Sequence, residues 1–432
     1  MQLSATELRE RLKPLFQENF EKFGELGAAI SVWQNGKELL KLHGGFRDAR
    51  REQPWTEDTI VLIWSATKGI GSACLLHVLQ EHKIDIERRV WDFWPEFAQA
   101  GKEPITLAQL LSHQVGLAAL DRKVNVLYYA SVIDALEKQE PNWPPGTAHG
   151  YHARTFGFLV DELVRRISGI NLAEYLRNTF AEPLGLDLWI GLPEKENPRV
   201  ATMYAPKAGK QPEPKDRQSG PPVGRTRPVA SSDFYADLAT KGTFAHKVFT
   251  SPFGLNAISA MNKPEIRALP IVSFGGIGSA SALAKFYAIL ANGGRMENPP
   301  AFASLRRGEQ FFSEKMIAWM TTTQTDGTDR VFQIPTAFSA GFMKDSAEAQ
   351  GAAVSSPPTP KNGRIGNRPS LVSPGLFGTS ASAFGHPGAG GSHAFADPEN
   401  GISFAYVMNQ MEQSVLPNEK SLRLVDAIYA LL

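Results

Sequence analysis

The sequence contains a single cysteine, Cys74, and lacks any apolar run long enough to cross a membrane. One cysteine cannot form an intramolecular disulfide, and its position in an apolar segment favours a small buried side chain. Residues 1–13 carry charges every few positions and lack the apolar core of a secretory signal. These absences predict a soluble, cytoplasmic protein without a membrane span or a disulfide framework.

The sequence also lacks an excess of charge of either sign. Its 45 Lys and Arg residues against 44 Asp and Glu residues give a formal net charge of +1, which does not favour nucleic acid or an anionic membrane as a partner. No Gly-x-Ser-x-Gly occurs, which argues against the nucleophile elbow of an α/β-hydrolase. At 432 residues with 42% hydrophobic content, the chain exceeds one ordinary core and predicts two subdomains or one domain with insertions.

Hydrophobic spacing places strands near both ends of the chain and helices in the middle. Residues 5–24 predict an amphipathic helix, and Asn35-Gly36 predicts a hairpin turn between strands Ala28–Trp33 and Leu39–Leu42. Residues 66–82 are apolar on nearly all sides and predict a buried helix. Further predicted elements are a short helix in 105–117 closed by Gly116, helices over 156–167, 280–291 and 419–431, and strands at 383–385, 393–396 and 402–408.

This order predicts an α+β fold in which an antiparallel sheet is flanked by terminal helices and interrupted by a mostly helical domain. We assign residues 1–62 and 272–432 to the sheet domain, and 63–271 to the helical domain. Residues 345–383 are rich in Pro, Ser, Gly and Ala and predict a flexible insertion, and residues 205–228 predict an extended surface loop.

The most informative short pattern is Ser65-Ala-Thr-Lys68, at the junction between a β-branched run and the predicted buried helix. Lys68 follows Ser65 by about one helical turn, so its amine can return to the serine hydroxyl and accept its proton. The spacing is common, and the alternative interpretation is that Ser65 caps the helix while Lys68 is solvated.

Two further segments complete a resemblance. Tyr151-His-Ala153 precedes a predicted helix, and His386-Pro-Gly-Ala-Gly-Gly391 lies in the predicted C-terminal strands. With Ser65 and Lys68, in this order, they resemble the serine β-lactamases of class C, the related D-alanyl-D-alanine peptidases and, above all, the family VIII carboxylesterases. Alone, Tyr151 would be a core aromatic residue and His386-Pro-Gly an ordinary strand start.

The resemblance implies a serine hydrolase whose active site lies at the junction of the two domains. Ser65 would form an acyl-enzyme, Lys68 and Tyr151 would share its proton as one coupled pair, and the backbone N–H groups of Ser65 and Ala389 would form the oxyanion hole. Which of Lys68 and Tyr151 acts first stays open. Residues expected to contact substrate are His386, Gly388 and His152.

No cofactor or metal is expected. His149 and His152 form an H-x-x-H pattern, but it lacks the accompanying carboxylate and a third ligand. His113 is expected to be a structural hydrogen-bonding residue.

The sequence departs from the lactamase pattern at two positions. Ala153 stands where those enzymes usually have Asn, and His386 stands where they usually have Lys. Both changes weaken the recognition of carboxylates and amides, so we expect a neutral small-molecule ester with a short acyl chain. Amide, β-lactam or peptide hydrolysis, acyl transfer to an alcohol, and a catalytically silent binding protein remain the alternatives.

Overall fold

A computed structural model describes residues 2–207, 232–301, 305–347 and 375–432. Its α-helices are α1 (Ala5–Glu21), α2 (Ala66–Glu81), α3 (Leu107–Leu111), α4 (Tyr129–Lys138), α5 (Phe156–Ser168), α6 (Leu172–Leu176), α7 (Glu182–Leu184), α8 (Ser232–Ala239), α9 (Phe244–Thr250), α10 (Pro264–Arg267), α11 (Ala280–Ala291), α12 (Glu314–Thr321) and α13 (Glu419–Tyr429). Short 3₁₀ or π turns span Val90–Asp92, Pro95–Phe97, Arg177–Ala181, Glu194–Arg199 and Ile258–Asn262.

The strands are β1 (Gly27–Gln34), β2 (Lys37–Gly45), β3 (Val61–Leu62), β4 (Leu188–Ile190), β5 (Gly276–Gly278), β6 (Arg295–Met296), β7 (Glu309–Gln310), β8 (Thr325–Thr328), β9 (Pro335–Phe338), β10 (Met343–Lys344), β11 (Phe384–Pro387), β12 (His393–Asp397) and β13 (Ile402–Met408). Eight of them form one antiparallel sheet in the order β2-β1-β13-β12-β11-β10-β9-β8. The predicted α+β fold with an antiparallel sheet is confirmed.

Helices lie on both faces of this sheet, and its central strands β11, β12 and β13 are buried along their whole length. Ser403 on β13 donates to the Ala284 carbonyl of α11, and Tyr406 on the same strand faces the opposite way, towards Asn19 of α1. Residues three apart on a strand point to opposite faces, so α11 and α1 lie on different sides. Lys420 of α13 forms a buried ion pair with Glu25, which ties the terminal helix to the start of β1.

A small three-stranded sheet, β3-β5-β4, leads into α2. Leu62 pairs with Ile277, and the Ile63 N–H donates to the Gly276 carbonyl at 2.9 Å. Helix α2 then packs against α5, α6 and β11 and is buried from Ala66 to Leu79. The helix that was predicted from its apolar residues on all sides is therefore the central helix of the fold.

The differences from the sequence predictions fall in turns. Helix α3 begins at a Thr106–Gln109 capping box and ends at Leu111, well before Gly116, because His113 takes a positive φ of 61°. Gly116 also has a positive φ, but it serves a later turn. Most of the loop predicted at 205–228 lies outside the described residues.

The predicted insertion, 345–383, is described only near its two ends. Asp345 Oδ1 accepts the Leu376 N–H at 2.7 Å, and the Lys344 amine donates to the carbonyls of Ala381 and Ala383. The far end of the predicted insertion is therefore held by side chains at and beside the end of β10; residues 348–374 lie outside the described residues. The domain boundaries at 62/63 and 271/272 stay predictions. Across the described ranges, no helix is both long and apolar enough to span a membrane.

Candidate active site

Ser65 lies immediately before α2, in a strained connection. Trp64 has a φ of +50°, a region that bulky residues rarely enter, and Thr67 accepts the Gly276 N–H at 2.9 Å. The Ser65 side chain makes no capping bond to the helix. Its hydroxyl instead meets the Lys68 amine, with 3.2 Å between Oγ and Nζ. The capping alternative for Ser65 is therefore not what the geometry shows.

Lys68 is completely buried. Its amine donates to the carbonyls of Ala153 at 2.8 Å and Ser273 at 2.6 Å, in addition to its contact with Ser65. Burial first, and the nearby charge of Arg154 second, hold the pKa of Lys68 well below its usual value. A neutral amine has two N–H groups and one lone pair, which matches two carbonyls and one hydroxyl. Lys68 can thus accept the proton of Ser65.

Tyr151 covers the other side of this pair. The Lys68 amine lies 5.0 Å from the centre of the tyrosine ring, and the Ser65 side chain is close enough to the phenol to affect its pKa. Burial, the largest cause, and the charge of Asp329 raise the pKa of Tyr151, whereas the neighbouring Ser65 side chain lowers it. The phenol is therefore protonated at neutral pH, and it is a proton donor before it is a base.

The backbone N–H groups of Ser65 and Ala389 have no partner within the part of the chain that the structure describes. The turn that carries Ala389 packs tightly against the segment that precedes Ser65, since a Cβ on Gly388 would lie 2.3 Å from the Ile63 carbonyl oxygen. The Gly388 N–H itself is used inside the turn, where it donates to Ser392 at 2.7 Å. This geometry fits Ala389, and not Gly388, as a polar contact for a ligand.

His386, at the end of β11, is buried beside Tyr151, with 5.9 Å between the ring centres. Its Nδ1 donates to the Pro387 carbonyl at 2.8 Å, and its Nε2 has no partner among the described groups. Burial first, and the charge of Lys68 second, lower the pKa of His386 to about 3. The imidazole is neutral at physiological pH and offers an acceptor, not a cation.

The other predicted histidines are held by the protein. His152 Nε2 accepts the Leu117 N–H at 2.9 Å, and its Nδ1 donates to the Gly150 carbonyl at 2.7 Å. Both ring nitrogens of His152 are bonded to backbone groups, so His152 supports the loop that carries Tyr151 and has no ring nitrogen left to hydrogen-bond a substrate. His149 contacts Thr336 and Thr325, and His113 accepts the His152 N–H. Within the described ranges, no three metal-ligating side chains form a cluster.

The sequence did not reveal three residues that surround Lys68 and Tyr151, namely Ser273, Asp329 and Phe332. Ser273 joins its carbonyl to Lys68 and its hydroxyl to the Arg154 carbonyl, and Asp329 accepts the Tyr151 N–H at 3.3 Å. Phe332 stacks on the Tyr151 ring at 4.8 Å. None of them belongs to a short motif, and each lies far from Ser65 in the sequence, so only the fold identifies them.

Comparison with known proteins decides the family. The β-lactamase family model matches residues 16–427. The chain belongs to the β-lactamase family. It is a serine hydrolase of the β-lactamase fold.

Its relatives in this family include esterases. The chain is 27% identical over 400 residues to the esterase/β-lactamase LipL of Mycobacterium tuberculosis, covering 90% of this chain and 78% of that protein. A β-lactamase of Escherichia coli is 25% identical over 179 residues, which cover 41% of this chain and 47% of that enzyme.

Solved structures extend the likeness to the whole chain. A family VIII carboxylesterase is 31% identical, with a TM-score of 0.77 over 100% of this chain and 99% of that one. A penicillin-binding protein homologue from Caulobacter crescentus is also 31% identical, with a TM-score of 0.76 over 100% and 99% of the two chains. The predicted resemblance to this group of the β-lactamase family is confirmed.

Proposed function

We propose that this member of the β-lactamase family hydrolyses carboxylic esters through an acyl-enzyme on Ser65. The observation that carries the proposal is the Ser65 hydroxyl, which lies 3.2 Å from the buried Lys68 amine, with the Tyr151 ring on the other side of that amine at 5.0 Å. A serine hydroxyl needs an adjacent base to become a nucleophile. The likeness to LipL and to a family VIII carboxylesterase supports ester chemistry.

The protonation states give the two partners different first tasks. As Ser65 Oγ bonds to the ester carbonyl carbon, its proton passes to the neutral Lys68 amine. The bond to the leaving alkoxide breaks, Tyr151 protonates that alkoxide, and Lys68 restores the phenol proton. Water then enters by the reverse route and releases the acid. Lys68 is therefore the first base in this proposal, and Tyr151 the acid.

The oxyanion of each tetrahedral intermediate is stabilised by the N–H groups of Ser65 and Ala389. Both groups are unpaired within the described residues, so a substrate oxygen gains two hydrogen bonds without displacing a protein acceptor. Losing one such donor costs about 3–4 kcal/mol of transition-state stabilisation.

The substrate we propose is a neutral ester with a short acyl chain. His386 is uncharged, so it cannot form an ion pair with the carboxylate of a β-lactam, and the methyl side chain of Ala153 cannot hydrogen-bond the amide of its side chain. His386 Nε2 can still accept a hydrogen bond from a substrate hydroxyl. Hydrolysis of β-lactams is a second candidate, which the likeness to the Escherichia coli β-lactamase supports, and acyl transfer to an alcohol is a third.

Fluorophosphonate labelling of wild type and Ser65→Ala, read by intact mass, tests the nucleophile. We expect one adduct on wild type, none on the variant, and turnover of p-nitrophenyl butyrate by wild type alone. A chromogenic cephalosporin measures lactamase activity beside it, and added methanol exposes acyl transfer. Folded wild type that neither labels nor turns over would support the binding-protein alternative.

A further inference from the structure

A buried carboxylate outside the predicted site holds the backbone of Tyr151. Asp329 lies directly after β8 and is completely buried. Its Oδ1 accepts the N–H groups of Tyr151 at 3.3 Å, Val331 at 2.7 Å and Phe332 at 2.9 Å. Its Oδ2 accepts the Thr336 hydroxyl at 3.2 Å. One side chain therefore joins the segment that carries Tyr151 to the connection between β8 and β9.

The same connection also packs on the tyrosine ring. Phe332 stacks on Tyr151 with 4.8 Å between the ring centres and 21° between the planes. The Arg330 N–H donates to the His149 carbonyl at 3.0 Å, so the two segments are bonded both at His149 and at Tyr151. Phe332 is held in turn by Asp329 through its own N–H. The carboxylate thus fixes both the main chain and the ring neighbour of Tyr151.

We propose that Asp329 is a positioning residue for Tyr151, which sets the phenol in register with Ser65. The proposal rests on the proposed function, in which Tyr151 transfers protons during ester hydrolysis. Asp329 bonds to neither Ser65 nor Lys68 in the structure, so it acts through Tyr151 alone. A misplacement of about 1 Å at a reacting group can cost about 100-fold in rate.

Two substitutions separate positioning from simple packing. Asp329→Asn keeps an oxygen that accepts the three N–H groups, and its amide can donate to the Thr336 hydroxyl. Asp329→Ala leaves three buried N–H groups without an acceptor, which destabilises the connection and frees the tyrosine segment.

Asp397 offers a matched control away from the site. It is also completely buried, at the end of β12 opposite to the end that pairs with His386-Pro387. Its carboxylate accepts the N–H groups of Glu399 and Asn400 and the Tyr429 hydroxyl. Asp397→Ala therefore removes the same kind of bonds without touching the Tyr151 segment.

The experiment compares kcat and KM of the full chain on p-nitrophenyl butyrate, with melting temperatures. We expect Asp329→Ala to lower kcat about 10- to 100-fold with KM nearly unchanged, and Asp329→Asn to stay within about threefold of wild type. Asp397→Ala should lower the melting temperature about as much as Asp329→Ala does, and its kcat should stay that of wild type. Equal kcat in Asp329→Ala and Asp397→Ala would overturn the proposal.

Two additional measurements keep this test separate from ester activity. If wild type hydrolyses no ester but labels with fluorophosphonate, the rate of labelling replaces kcat as the readout. If wild type does neither, crystal structures of the Asp329 variants replace both.

In those structures, a Tyr151 hydroxyl that is displaced from Ser65 in Asp329→Ala, and is not displaced in Asp329→Asn, supports the positioning role. A hydroxyl that does not move in Asp329→Ala overturns it. If Asp329→Ala does not fold, Phe332→Leu must lower kcat, since it removes the ring contact and leaves the carboxylate.

Discussion

Two basic side chains, Lys68 and Arg154, are buried together at the candidate site, and no carboxylate pairs with either one in the described residues. The Arg154 guanidinium donates to Asn256 and to the carbonyls of Phe249 and Gly254, and its charge lowers the pKa of Lys68. Ser273 links the two residues, since it bonds Lys68 through its carbonyl and Arg154 through its hydroxyl. Arg154 thereby favours the neutral form of Lys68, which the proposed first step requires.

Arg154→Gln should therefore move the acid limb of the pH profile of kcat/KM to higher pH. Removing the guanidinium raises the pKa of Lys68, so a higher pH is needed to keep the amine neutral. The rate of p-nitrophenyl butyrate hydrolysis across the pH range measures this shift. Arg154→Lys keeps the charge and should keep the limb in place; a limb that stays fixed in both variants would count against Lys68 as the base.

Lys68→Met should abolish activity and stabilise the fold. In the unfolded chain Lys68 has its usual pKa of 10.5 and is protonated at neutral pH, whereas in the folded chain it is neutral. Folding must therefore remove this proton, which lowers the free energy of unfolding at pH 7. The loss disappears as the pH rises to the unfolded pKa. We expect a gain of about 1 kcal/mol or more at pH 7, fading towards about pH 10, in urea unfolding. A variant less stable than wild type at pH 7 would contradict this account.

At the scale of elements, the turn after β11 carries Ala389, and its Gly388 lies against the segment that leads into α2. Gly388→Ala would place a Cβ 2.3 Å from the Ile63 carbonyl, so the turn must move and take Ala389 with it. We expect kcat to fall about 100-fold, as for loss of one oxyanion donor.

Gly385 provides the control on the same strand. A Cβ there would lie 2.3 Å from the Ala394 carbonyl, which is an equal clash further from Ser65. Gly385→Ala should lower the melting temperature at least as much and leave the kcat of the folded fraction largely intact. Equal losses of kcat in the two variants would show that the turn has no specific role.

What the sequence could predict depends on how local each element is. The Ser65–Lys68 contact was predictable because both residues lie within one turn of α2, and α2 itself shows its burial in its apolar residues. The contacts of Ser273, Asp329 and Phe332 join positions far apart in the chain through bonds to backbone or through ring stacking. Such contacts leave no periodic signal. The roles of His386 and His152 also depend on burial and bonding, which the sequence does not display.

At the scale of the whole molecule, buried histidines make stability depend on pH. Burial lowers the pKa of His152 and His386 to about 3 and that of His113 well below its usual value. Their contribution to stability is complete above the unfolded pKa of about 6.5 and is lost as the pH falls below it. Burial raises the pKa of Glu25 and Asp329, and these two groups oppose the loss.

Stability should therefore fall by about 1–3 kcal/mol for each pH unit below about 6.5, the net of three groups that resist protonation and two that favour it. Denaturant unfolding at pH 7, 6 and 5 measures the slope. His386→Gln should reduce this slope by about 1.4 kcal/mol per pH unit, which is the contribution of one titrating proton. A free energy of unfolding that is constant from pH 6.5 to 5 would contradict the burial of these neutral histidines.

The order of strands in the large sheet has a consequence for synthesis. β1 pairs with β13, the last strand of the chain, and Ala389, the proposed oxyanion donor, follows β11, whereas Ser65, the proposed nucleophile, belongs to the first part to be translated. In the proposed mechanism, a nascent chain therefore contains its nucleophile long before the groups that make it reactive. Until the final strands leave the ribosome, the growing polypeptide carries Ser65 and Lys68 without Ala389, and the proposed oxyanion hole is incomplete.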